Sequence, residues 1–123
     1  MLDSGKLMAF VATKQPERAR AFYEGTLGLA VVSDDPYAIA FDANGSHLRI
    51  QKVADFEPLP FTALGWQVSD IGGAVEALLA RGVTFQTFPG LGQDASGIWS
   101  APSGAKVAWF RDPDGNTLSL TQI

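Results

Sequence analysis

The sequence predicts an α+β fold made of two tandem βαβββ modules, and three observations carry that expectation. Short segments alternate apolar and polar residues with the period of a strand, two longer segments repeat them with the period of a helix, and the order of these segments restarts after Pro58-Leu59-Pro60.

The first module opens with an apolar, strand-like run from Lys6 to Ala12. Lys14-Gln15-Pro16-Glu17 then reads as a helix entrance, because proline at a first helical position gives up an N–H that would be unpaired there anyway. Ala19, Phe22, Tyr23 and Leu27 follow at helical spacing and are expected to pack on a sheet, with Gly28 as the stop. Three strands are predicted near Leu29–Val32, Tyr37–Phe41 and His47–Val53. Asn44-Gly45 forms the turn between the last two, since both residues tolerate positive φ.

In the second module, Phe61–Val68 reads as a strand, Asp70 as an N-cap and Ala74–Arg81 as a helix closed by Gly82. Val83–Phe88 is strand-like, Gly97–Ala101 and Lys106–Arg111 form a hairpin across Ser103-Gly104, and Thr117–Leu120 is the last strand. Pro89 to Gly97, rich in glycine and polar residues, reads as an insertion and as a mobile loop over a cleft mouth.

Superposition makes the repeat explicit. An offset of 55 carries Met8 onto Ala63 and Ala19 onto Ala74; an offset of 70 carries Asp42-Ala43-Asn44-Gly45 onto Asp112-Pro113-Asp114-Gly115 and Leu48-Arg49-Ile50 onto Leu118-Ser119-Leu120. The chain is expected to be a single domain, 1–123, with module one at about 1–57 and module two at about 58–123. Two copies are too few for a solenoid, so the modules are expected to pair face to face.

Composition narrows the function. With 123 residues the chain can bury a core without staples, and with no cysteine it has no disulfide, thiolate nucleophile or cysteine-held zinc. A net charge of −4 argues against nucleic acid and anionic membranes, which require basic surface. No apolar run approaches the roughly 18 residues of a membrane span, and no leader pattern opens the sequence, so a cytoplasmic location is expected. No Gly-x-Ser-x-Gly elbow accompanies the one histidine, and Gly90-Leu91-Gly92 lacks the setting of a dinucleotide loop.

Ala21-Phe22-Tyr23-Glu24 with Leu27-Gly28-Leu29, and Phe110-Arg111-Asp112-Pro113-Asp114-Gly115-Asn116 before the last strand, resemble the vicinal oxygen chelate superfamily of glyoxalases, bleomycin-resistance proteins and extradiol dioxygenases. These residues mark the fold and carry no chemistry; the Asp-Pro-Asp-Gly-Asn run has the composition of a turn. The resemblance covers nearly the whole chain and implies an open, barrel-like sheet with a central cleft and the helices outside. In metal-dependent members the first and last strands of each module supply the ligands, and those positions fall here on Met8, Arg49, Ala63 and Ser119. A soft thioether, a permanent cation, a methyl and a neutral hydroxyl do not make a ligand set for a hard divalent ion. A register slip of two would offer His47 or Gln51 in place of Arg49, with Gln67 recruited similarly.

Strand alternation places Leu48 and Ile50 toward the helix and His47, Arg49 and Gln51 on the cleft side, with Ser119 between Thr117 and Thr121 in the last strand, and Met8, Phe10, Ala63, Gly65 and Gln67 in the first strands. Candidate ligand-binding residues are therefore Phe10, His47, Arg49, Gln51, Gln67, Trp99, Trp109 and Ser119, with Arg49 as an anion anchor and the tryptophans as stacking surfaces. The expected function is binding of a small organic ligand, anionic if Arg49 is its anchor, by a homodimer without a cofactor or metal. The alternative is a lyase, isomerase or dioxygenase of the same superfamily that holds a divalent metal through other ligands. An interaction module pairing through its sheet edges is a third class.

Overall fold

The computed structural model describes residues 1–123, which divide into two compact units, Met1–Glu57 and Pro58–Ile123. Each unit is a βαβββ module with one four-stranded mixed sheet, an α+β architecture.

In the first unit, β1 (Met8–Thr13) leads to α1 (Pro16–Arg20), which widens into a π-helical segment over Ala21–Thr26. The strands β2 (Ala30–Asp34), β3 (Ala38–Ala43) and β4 (Ser46–Lys52) follow. The sheet order is β1-β4-β3-β2, with β1 parallel to β4 and the other pairs antiparallel. Lys6 and Leu7, expected within the first strand, lie outside it, exposed and without a ladder partner.

Pro16 occupies the first turn of α1 as its missing N–H allows. The π widening, in which the Leu27 N–H reaches the carbonyl of Phe22 at 2.9 Å, changes the helical spacing partway along. Ala19 and Tyr23, four residues apart on one face, are fully buried, whereas Phe22 is half-buried and meets Tyr23 edge-on at 5.2 Å. Tyr23 also packs on Phe41, their centroids 5.9 Å apart, and with Ile39, Leu48, Ile50 and Val11 completes this core. The Asn44-Gly45 turn has φ of 52° and 91°, the positive pair that a two-residue hairpin requires.

In the second unit the order is β5 (Thr62–Gln67), α2 (Ile71–Ala80), β6 (Trp99–Ser100), β7 (Lys106–Arg111) and β8 (Thr117–Gln122), and the sheet runs β5-β8-β7-β6. It is the topology of the first unit repeated. Asp70 caps α2 by accepting from the Gly73 N–H at 3.1 Å, and Gln122 accepts from the Ile71 N–H at 2.9 Å. Ile71 and Val75 of α2 are buried, as are Phe110, Leu118, Leu120 and Ala108 of the sheet; Trp66 and Phe85 flank Phe110 at 6.4 and 5.5 Å.

The register locates the repeat residue by residue. Phe10 lies opposite Arg49 in the first unit and Gly65 opposite Ser119 in the second, as the two sequence offsets require. The β3 and β7 strands correct the later offset by one residue: Phe41 faces Leu48 and Phe110 faces Leu118, so the match at Phe110 falls one short of that in the last strands. The extra residue is taken up in the wider turn of the second unit. There Asp112 Oδ1 accepts from the N–H groups of Asp114 and Asn116, both at 2.9 Å, and Oδ2 from Asn116 Nδ2 at 2.8 Å. These buried groups satisfy one another, which is a structural role.

Val83–Phe88 does not form the expected strand. It touches the sheet through the Phe85–Phe110 bridge and one bond from the Gln86 N–H to the Trp109 carbonyl at 2.8 Å. The Phe88 N–H turns away to Gln93 Oε1 at 2.7 Å, so the ladder stops.

Candidate ligand-binding site

Each sheet turns one face to its helix and the other away, and the candidate residues all sit on the faces turned away. In the first unit, alternation puts Leu48 and Ile50 in the core and leaves His47, Arg49 and Gln51 opposite. Pairing then aligns three rows: Met8, His47 and Asp42; Phe10, Arg49 and Ala40; Ala12, Gln51 and Ala38. Phe10 is 51% exposed and Met8 43%.

Arg49 is half-buried in the middle row, and its guanidinium takes part in no ion pair or hydrogen bond. Asp35 feels it only at longer range: the Asp35 carboxyl is held below its ordinary value first by the Tyr37 N–H, then by the Ala38 N–H, with Arg49 a smaller contributor. His47 Nε2 is buried without a partner.

The same unit also carries a concavity of about 580 Å³ on its helical side, lined by Arg20, Asp34, Lys52 and residues of the helix entrance. Three of its charged groups, Arg20, Asp34 and Lys52, pair with one another, and Arg18 donates to Gln15 Oε1 at 2.7 Å. Asp34 accepts from Lys52 at 2.6 Å and from Arg20 at 2.9 Å, and these bonds, Lys52 first, hold its carboxyl below the usual range. That concavity offers a ligand no unpaired charge among the three, and none of the predicted residues line it.

In the second unit the face turned away from the helix forms a concavity of about 510 Å³. Its wall is aromatic: Trp99 and Trp109 lie 6.1 Å apart and 33° from parallel, Phe88 stands perpendicular to Trp109 at 5.5 Å, and Phe61 adds a further ring. Of its polar residues, Thr62, Thr117 and Arg111 align in register at one end, and Gln86 lies beside Trp109, donating its N–H to the Trp109 carbonyl at 2.8 Å. The next row is Gly65, Ser119 and Trp109, then Gln67, Thr121, Val107 and Trp99. Gly65 permits that packing, because a Cβ there would stand 2.6 Å from Ser119 Oγ.

One wall comes from the insertion, which was expected to be a mobile loop and is instead stapled. Gln93 Nε2 donates to the carbonyls of Gln86 at 2.9 Å and Gly97 at 2.8 Å, while its Oε1 accepts from Phe88 N–H. Asp94 Oδ1 accepts from the N–H groups of Ser96 and Ile98. This holds Phe88 and Leu91 against the pocket.

The predicted residues therefore fall into two sets, Phe10, His47, Arg49 and Gln51 on one unit and Gln67, Trp99, Trp109 and Ser119 on the other. Of these, Trp99 and Trp109 line the concavity. Sequence reasoning missed Arg111, Phe61, Phe88 and Gln86. The signal for Arg111 was present, since it stands two residues after Trp109 on one strand and so shares its face.

The four positions that the resemblance assigned to metal ligands do not fit a divalent cation here. Met8 lies opposite His47, Arg49 opposite Phe10, and Ala63 is the extra residue where the β5–β8 register shifts. Ser119 is buried beside Gly65. One imidazole next to a thioether is not a ligand set, and no group of three or more His, Asp and Glu side chains comes together elsewhere.

Comparison with known proteins agrees with this architecture. The fold is shared by a glyoxalase family protein from Bacillus anthracis (TM-score 0.78, 19% identity, 97% of this chain and 94% of that one). It is also shared by a lactoylglutathione lyase from Agrobacterium tumefaciens (0.75, 18%, 97% and 93%) and by a genomically encoded fosfomycin resistance protein from Listeria monocytogenes (0.75, 15%, 98% and 93%). No curated protein sequence matches the chain. Residues 7–120 match the family model of the Glyoxalase/Bleomycin resistance protein/Dioxygenase superfamily, and the chain belongs to that superfamily.

Proposed function

We propose that this superfamily member binds a small organic molecule in the aromatic-walled concavity of its second unit, and does so without the divalent metal of its metal-dependent relatives. The observation that carries the reading is the concavity itself: about 510 Å³, within the range of small-molecule sites, with a pair of tilted tryptophan rings along one side and Thr62, Thr117 and Arg111 at one end. The donor chemistry of Met8, Arg49, Ala63 and Ser119 supports the second clause. On the first unit, Arg49, whose guanidinium has no partner within the chain, is a separate candidate anchor for an anion.

The reading includes a cytoplasmic homodimer. Its support is the pair Met8 and Phe10 on one face of β1, 43% and 51% exposed, on an edge strand that a second chain would cover. A monomer at micromolar concentration in size-exclusion chromatography with light scattering contradicts that clause.

The three tryptophans give a direct test of the site. Trp99 and Trp109 line the concavity, while Trp66 stacks on Phe110 in the core. A screen of small aromatic and aliphatic compounds in chelator should shift the indole N–H resonances of Trp99 and Trp109 and leave that of Trp66 in place. The reading fails if no compound moves the first two.

A further inference from the structure

We propose that the second-unit concavity selects a planar aromatic carboxylate, with the ring system stacked against Trp99 and Trp109 and the carboxylate held by Arg111. The inference rests on the small-molecule reading above and names the ligand class for the same site.

Three independent features point the same way. Arg111 is the one charged side chain among the residues lining the concavity, it is exposed, and it takes part in no ion pair or hydrogen bond within the chain. An unpaired guanidinium offers a bidentate fork to a carboxylate at no cost of breaking an internal pair. With no Asp or Glu in the lining, a cationic ligand meets repulsion from Arg111 and nothing to offset it.

The second feature is a polar row. Thr62, Thr117 and Arg111 align in that order across β5, β8 and β7, so two hydroxyls lie to one side of Arg111 and can donate to a carboxylate oxygen. Trp109 stands two residues back along β7, about 7 Å on an extended strand, and begins the aromatic end. A ligand that is polar at one end and flat and apolar at the other matches this order.

The third feature is the shape of the apolar end. Trp99 and Trp109 lie 33° from parallel, and Phe88 closes the side at 90° to Trp109, fixed by the Gln93 staple. Ring faces and one ring edge suit offset stacking and an edge contact on a planar partner, worth more than the same area against an aliphatic one.

The test is calorimetric titration of the full chain with 2-naphthoate, 2-naphthamide and cyclohexanecarboxylate, with the tryptophan indole resonances followed in parallel. Naphthoate should bind at least tenfold more tightly than the other two. In Arg111→Gln, naphthoate should fall to the affinity of the amide while the amide is unchanged, with an unaltered melting temperature because Arg111 is exposed. Equal binding of naphthoate and naphthamide, with Trp99 and Trp109 responding, overturns the carboxylate selection and leaves the aromatic site standing. Loss of naphthoate in Arg49→Gln and not in Arg111→Gln overturns the assignment of the anchor. No response of Trp99 or Trp109 to any of the three compounds overturns both readings.

Discussion

Replacing Gln93 with alanine isolates the device that holds the pocket wall. The carboxamide makes three hydrogen bonds to backbone, two donated by Nε2 and one accepted by Oε1. At about 1 kcal/mol net each they contribute about 3 kcal/mol, and removing the side chain returns about 1.5 to 2 kcal/mol of rotamer entropy. The expected loss is therefore about 1 to 1.5 kcal/mol, read as a lower urea midpoint with unchanged slope. Hydrogen exchange at the Phe88 amide should accelerate, and affinity for any ligand touching Phe88 should drop. Gln93→Glu should be at least as damaging at neutral pH, because a carboxylate accepts from Phe88 but faces the carbonyls of Gln86 and Gly97 with no proton to donate. A Gln93→Ala protein within about 0.3 kcal/mol of wild type, with unchanged exchange at Phe88, would refute the staple.

Three further substitutions test the packing and the electrostatics of the units. Phe110→Ala removes a fully buried ring from between Trp66 and Phe85 and should cost about 3 to 5 kcal/mol, whereas Phe10→Ala, on an exposed face, should cost less than about 1 kcal/mol by urea unfolding; similar costs would contradict the assigned core. Asp34→Asn should lower the melting temperature at neutral pH. Because Lys52 and Arg20 depress the folded-state value of Asp34 below the ordinary 3.8, its contribution is present above that value and is lost as pH falls through the lower folded one. The gap between wild type and variant should close on acidification; a gap that persists in strong acid removes Asp34 as its source.

What could be read from the sequence was whatever period and local chemistry decide. The alternation of His47, Arg49 and Gln51 with Leu48 and Ile50 specified which way β4 faces, since a slip of one residue would expose both apolar side chains. Asn44-Gly45 and Asp70 act within a few residues of themselves, and their turn and cap are where the sequence puts them. The π widening over Ala21–Thr26 was not legible, because it leaves no trace in a 3.6-residue pattern. The run Val83–Phe88 has the composition of a strand, but the Phe88 N–H that would continue the ladder is taken by a side chain five residues on. Arg111 was absorbed into a motif that marks the fold, and only the register of β7 against β8 shows it sharing an end of the pocket with Thr62 and Thr117.

The central claim, that the pocket works without a divalent metal, is tested most directly by metal analysis of protein purified without chelator, joined to melting curves with and without excess EDTA. A resident ion at a hundredfold excess over its dissociation constant would add about 2.7 kcal/mol, which chelation would remove as a drop of several degrees. The account predicts far less than one metal per chain, an unchanged melting temperature in EDTA, and undiminished ligand response at Trp99 and Trp109. One tightly held divalent ion per chain, whose removal lowers the melting temperature and silences those two resonances, would contradict it.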